Sequence, residues 1–140
     1  MSGQAQIYPD LASALNDRFR GHSDRLWEEW HGIAVEDAGS VADDAERAWV
    51  IRRKASHRGI GSRTALRHLI ASCADQGFLD EIGRLGGLER LELEYEVTAA
   101  DLAPLAGLRN LRHLRIECPR KIVDFSPLLA LPALRTLLIA

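Results

Sequence analysis

The segment DLAPLAGLRNLRHLRI, residues 101–116, returns 23 residues later as DFSPLLALPALRTLLI, residues 124–139. Apolar residues occupy matching positions in both: Leu105, Leu108, Leu111, Leu114 and Ile116, then Leu128, Leu131, Leu134, Leu137 and Ile139. Ile82, Leu85, Leu88, Leu91 and Leu93 keep the same spacing one unit earlier. LRHLIAS, residues 66–72, adds a fainter copy through Leu66, Leu69 and Ala71, offset by 22. So many apolar residues on superimposable registers make a structural repeat.

The spacing has a mechanical meaning. Leu114 and Ile116 alternate with His113 and Arg115, the period of a strand with one buried face. Upstream, apolar residues at every third position suit a tight, partly 3₁₀-like return path. Pro104 and Pro127 sit near its start, where a fixed φ helps and a lost donor is tolerable. One strand with one return path cannot bury its own apolar edge, so the units must stack.

These motifs, together with IGRLGGLERLEL, resemble the leucine-rich repeat family, in the short-repeat subclass that includes internalins and the leucine-rich regulator of protein phosphatase-1. The resemblance covers residues 64–140. It implies an α/β right-handed solenoid with a parallel sheet of about four strands, and a non-catalytic module that binds another protein through its strand face. Glu96 and Pro119 stand where the family has an asparagine after the strand, so a regular asparagine ladder is not expected. The backbone groups of those turns need other partners. DQGFLDEIGRL lacks the Asp-x-x-Pro entry and reads as a short α-helix capped by Asp75.

Residues 1–63 read as a helical cap within the same domain. PDLASALNDRFRGHSDRLWEEW places Leu11, Leu15, Phe19, His22, Leu26 and Trp30 near one helical face behind Asp10. VADDAERAWVIRRKASHRG reads as a second helix through Val41, Ala45, Ala48, Trp49 and Arg52, ending at Gly59. Trp27, Trp30 and Trp49 all lie in this part; they can form a ligand cage, though large aromatics ordinarily serve burial.

Composition narrows the function. The chain has 140 residues, 46% hydrophobic and 27% charged, with a formal net charge of −2. Nine basic and ten acidic residues fall on each side of residue 64. Neither half is a polyelectrolyte drawn to nucleic acid or anionic membrane. The N-terminus lacks the basic head and apolar run of a signal peptide, and no run of about 18 apolar residues occurs, so a cytoplasmic location is expected.

Chemistry-bearing clusters are sparse. Cys73 and Cys118 fall on the inward side of the sheet two strands apart, roughly 10 Å by strand spacing. That is too far for a disulfide, and the reading is two buried thiols. The histidines (His22, His31, His57, His68, His113) match no zinc-ligand spacing and read as surface residues. There is no phosphate loop, nucleophile elbow or positioned catalytic set. No enzyme activity, metal or cofactor is expected. Arg52, Arg53, Lys54, Arg58 and Arg63 form a basic run at the end of the second expected helix. That run allows a nucleic-acid-binding adaptor, but it lacks interleaved aromatics.

The outward strand face is the most informative surface. Alternation gives three columns across the strands: His68, Arg90, His113 and Thr136; Ile70, Glu92, Arg115 and Leu138; Ser72, Glu94, Glu117 and Ala140. Glu92 beside Arg115 is a favourable cross-strand pair, while Glu94 beside Glu117 places like charges together. The candidate contacts for a partner protein are His68, Arg90, Glu92, Glu94, His113, Arg115 and Glu117. A stoichiometric inhibitor of an enzyme, of the immunity type, would use the same kind of surface. No capping unit is encoded after Ile139. Three explanations fit: a fragment of a longer solenoid, self-association through the last repeat, or docking of that end on another protein.

Overall fold

The computed structural model describes residues 33–140; the first expected helix, with His22, Trp27 and Trp30, and the following His31 lie outside them. Residues 34–140 form one compact unit. Six strands follow in chain order: β1 (Ala34–Val35), β2 (Arg47–Ile51), β3 (His68–Ser72), β4 (Arg90–Glu94), β5 (His113–Ile116) and β6 (Thr136–Ile139). They form one all-parallel sheet whose spatial order is the sequence order. The class is α/β. Among the described residues there is one α-helix of more than a turn, α1 (Gln76–Ile82), and the other return paths are 3₁₀ segments.

The repeat register is the pairing register. Leu69, Leu91, Leu114 and Leu137 face one another across β3 to β6, as do Ala71, Leu93, Ile116 and Ile139. Leu69, Leu91, Leu93, Leu114 and Ile116 are at most 1% exposed, and so are Leu66, Leu85, Leu88, Leu105, Leu108 and Leu111 from the return paths. Each such side chain contributes about 1.5–3 kcal/mol relative to an exposed one. The layer of β6 is the least covered: Leu134 and Leu137 are only partly buried, and Ile139 is 44% exposed.

Two expectations are corrected. The sheet has six strands, not four, and VADDAERAWVIRRKASHRG is not a helix. Its centre is β2, paired along its whole length with β3, so residues 34–63 are part of the same compact unit as the sheet and contribute two of its strands instead of a second helix. Ala48 and Val50 lie in the core opposite Leu69 and Ala71. Small alanines in place of leucines hid this copy, and they also satisfy helical spacing.

Aspartate side chains shape the entries to three return paths. Asp75 accepts from the Phe78 amide at 2.9 Å and starts α1, as its sequence suggests. Asp101 accepts from the Ala103 amide at 2.8 Å and Asp124 from the Ser126 amide at 2.9 Å, which turns the chain just before Pro104 and Pro127 enter their 3₁₀ segments. Hydrogen bonds from Ser126 hold the Asp124 carboxyl below its ordinary pKa. In place of an asparagine ladder, Gln76 Oε1 accepts from the Ala100 and Asp101 amides, and Arg52 Nε donates to the Cys73 carbonyl at 2.6 Å. Gly83 is required by close approach: a Cβ there would run into the Pro104 carbonyl oxygen.

Candidate recognition face

The face of the sheet opposite the core carries the three expected columns, extended by one strand. At the strand starts, Arg47, His68, Arg90, His113 and Thr136 stand side by side. The middle column is Trp49, Ile70, Glu92, Arg115 and Leu138. The third runs Ile51, Ser72 and Glu94, and Glu117 follows directly after β5. All seven residues expected from the sequence share this face. Charge is polarised across it, with cationic and imidazole groups at the strand starts and carboxylates at the strand ends.

The face is not evenly exposed. Trp49, Ile70, Glu92 and Leu138 are each at most 5% exposed, whereas His68, Arg90, His113, Arg115, Glu94 and Glu117 are intermediate. Glu92 is thus buried beneath its neighbours. Its Oε2 lies 2.9 Å from His68 Nε2, which fixes the imidazole. Trp49 Nε1 donates to Ser72 Oγ at 2.9 Å, and the tryptophan is buried on this face, opposite the leucine layers. His113 Nδ1 is 2.8 Å from Thr136 Oγ1.

The ion pairs differ from the expected ones. Arg115 does not bridge straight across to Glu92. Its Nη1 lies 3.6 Å from Glu94 Oε1 and its Nη2 contacts Glu117 Oε1. The guanidinium therefore serves both members of the expected like-charge pair. Glu117 is held further by the Tyr95 amide, which donates to its Oε2 at 2.8 Å. The Glu94 carboxyl is nonetheless pushed up from its ordinary 4.5 to about 7. Burial is the largest cause, followed by the charges of Glu92 and then Glu117; Arg115 opposes them.

The cysteines are corrected as well. Cys73, Tyr95 and Cys118 have φ of 61°, 59° and 49°, a left-handed conformation just past three successive strands. That turn breaks the strand alternation. Cys118 is exposed and Cys73 partly so, both as free thiols. His57, expected on the surface, is 7% exposed and stacks on Phe78 with ring centroids 5.5 Å apart. A hidden aromatic contact of this kind leaves no sequence signal.

The basic run after β2 is largely engaged by its own chain. Arg52 donates to the Cys73 and Lys54 carbonyls and lies 3.4 Å from Asp75; Arg53 pairs with Glu36 at 2.9 Å; Arg63 donates to the Val41 carbonyl at 2.7 Å. It is not the end of a helix but a turn-rich link between β2 and β3. Among the described residues, no group of three or more His, Cys, Asp or Glu side chains is placed to hold a metal ion, and no helix is long and apolar enough to cross a membrane. No protein-family model and no curated protein matches the sequence.

Proposed function

We propose that the chain is a right-handed leucine-rich repeat solenoid that acts as a non-catalytic recognition module, binding a partner protein through the outer face of its sheet. The architectural part rests on strand starts that recur every 21 to 23 residues from β2 to β6, in a parallel sheet of strict sequence order. Parallel crossovers are right-handed in nearly all proteins. The observation that carries the function is the polarised face, with Arg90, His68 and His113 at one rim and Glu94 and Glu117 at the other. Such an arrangement favours a partner of complementary polarity and fixes its orientation. Arg115, tied to both rim carboxylates, holds the acidic side in one geometry.

The test is quantitative affinity purification of the full chain from its native cells. The parent is compared with Arg90→Glu and Glu117→Lys, each checked for unchanged circular dichroism. At least one partner enriched by the parent should be lost from both variants. Equal recovery of every partner by all three proteins would show that this face is not the contact surface.

A further inference from the structure

A second surface lies along the strand-start edge of the sheet, outside the three columns. Glu46, Arg67, Glu89, Arg112 and Arg135 each immediately precede a strand. They are joined in a main-chain relay: the Arg67, Glu89, Arg112 and Arg135 amides donate to the carbonyls of Glu46, Arg67, Glu89 and Arg112 at 2.7–2.8 Å. The first three side chains alternate in sign and pair, Arg67 lying 3.9 Å from Glu46 and 3.6 Å from Glu89. Arg112 continues the alternation but not the pairing, and Arg135 breaks the alternation. Arg112 and Arg135 are neighbours of like charge, both exposed, and among the described residues neither has a carboxylate within salt-bridge distance.

Beside this column runs an open groove of about 440 Å³. Small side chains, Thr64, Ala65 and Gly87, line it together with Asn110 and Arg112. Asn110 is held in place by donating to the Gly86 carbonyl at 2.9 Å. The groove crosses the starts of four strands, roughly 14 Å at about 4.8 Å per strand. That length accepts about four residues of extended chain.

We infer that this groove docks an extended peptide segment of a partner protein, acidic at the end that meets Arg112 and runs on to Arg135, one strand beyond the groove. Carboxylates there would continue the pairing that Glu46, Arg67 and Glu89 begin, and Arg offers a two-pronged fit to each. The other end of the segment is neutral or basic, because Glu46 and Glu89 border the groove. The same two carboxylates argue against a nucleic-acid backbone, which would carry phosphate along the whole path. This surface is independent of the outer face, and Arg115 plays no part in it.

The test is an amide chemical-shift titration of the full chain, at low salt, with a blocked synthetic hexapeptide that has two glutamates at one end and a lysine at the other. Shifts should concentrate on residues 64–67, 86–89, 110–112 and 135. Arg112→Gln/Arg135→Gln should weaken binding at least tenfold. Gly87→Leu should do the same with every charge intact, since a Cβ at Gly87 meets nothing closer than 3.6 Å and the added side chain would occupy groove space. Three results would overturn the proposal: no shifts up to millimolar peptide, shifts centred elsewhere, or variants that bind like the parent. Inorganic tripolyphosphate binding more tightly at the same amides would overturn the choice of a peptide. Charge variants of Arg115 should leave this binding unchanged, which separates it from the outer-face reading.

Discussion

Arg115 Nη1 stands 3.6 Å from Glu94 Oε1, yet Glu94 holds its proton up to about pH 7. The guanidinium is shared with Glu117, and burial together with two neighbouring carboxylates outweighs what remains of its attraction. Packing and like charge thus prevail over a single cation on a crowded face.

A pH dependence of stability follows. Glu94 binds its proton more tightly in the folded chain than in the unfolded one. Its contribution to stability is therefore fully present below about pH 4.5 and is lost as pH rises through 7. Glu94→Gln should leave stability at pH 5 nearly unchanged and raise it at pH 8. The full shift corresponds to about 3 kcal/mol, and partial exposure screens this to roughly 1–2 kcal/mol. Urea unfolding of both proteins from pH 5 to 8 checks it. Parallel curves across that range would mean that Glu94 titrates normally.

Gly83 and Gly86 should respond in opposite ways to the same change. A Cβ at Gly83 meets the Pro104 carbonyl, which is backbone and cannot swing aside, whereas a Cβ at Gly86 has no atom within 4 Å. Gly83→Ala should cost about 1–3 kcal/mol, and Gly86→Ala should be neutral or stabilise by up to about 1 kcal/mol. Thermal unfolding of the two variants measures the difference. Equal melting temperatures would refute the close approach of α1 to the next return path.

The sequence was readable where large apolar side chains repeat. Leu91, Leu114 and Leu137 announce β4, β5 and β6, and their register follows directly. β2 was obscured because Ala45 and Ala48 replace leucines, so the apolar volume that marks a repeat is missing. The outer columns were legible from alternation, since it requires only a strand period. Their pairing was not. Arg115 is long enough to reach the strand ends instead of crossing to Glu92, and the buried Glu92 turns to His68 on the other side. The left-handed turns at Cys73, Tyr95 and Cys118 were equally hidden, because none of these residue types signals positive φ.

Those turns give a prediction for the thiols. Cys118 is exposed and Cys73 only partly so. In the native protein a thiol reagent such as dithionitrobenzoate should modify Cys118 first, as located by peptide mass spectrometry. Cys118→Ser should remove the fast phase. Two thiols that both react only after unfolding would restore the buried placement expected from strand alternation.

Asp75 performs two tasks that substitution can separate. Its Oδ1 caps α1 through the Phe78 amide, and its Oδ2 lies 3.4 Å from Arg52 Nη1. Asp75→Asn keeps an acceptor for the amide but removes the charge; Asp75→Ala removes both. The alanine variant should lose about 0.5–2 kcal/mol. The asparagine variant should lose less, because a partly exposed ion pair is worth only about 0–1 kcal/mol. Hydrogen exchange adds a local reading: the Phe78 amide should lose protection in the alanine variant and keep most of it in the asparagine variant. A Phe78 amide equally protected in both would mean that α1 is held by the core contacts of Phe78, Leu79 and Ile82, with the cap contributing nothing.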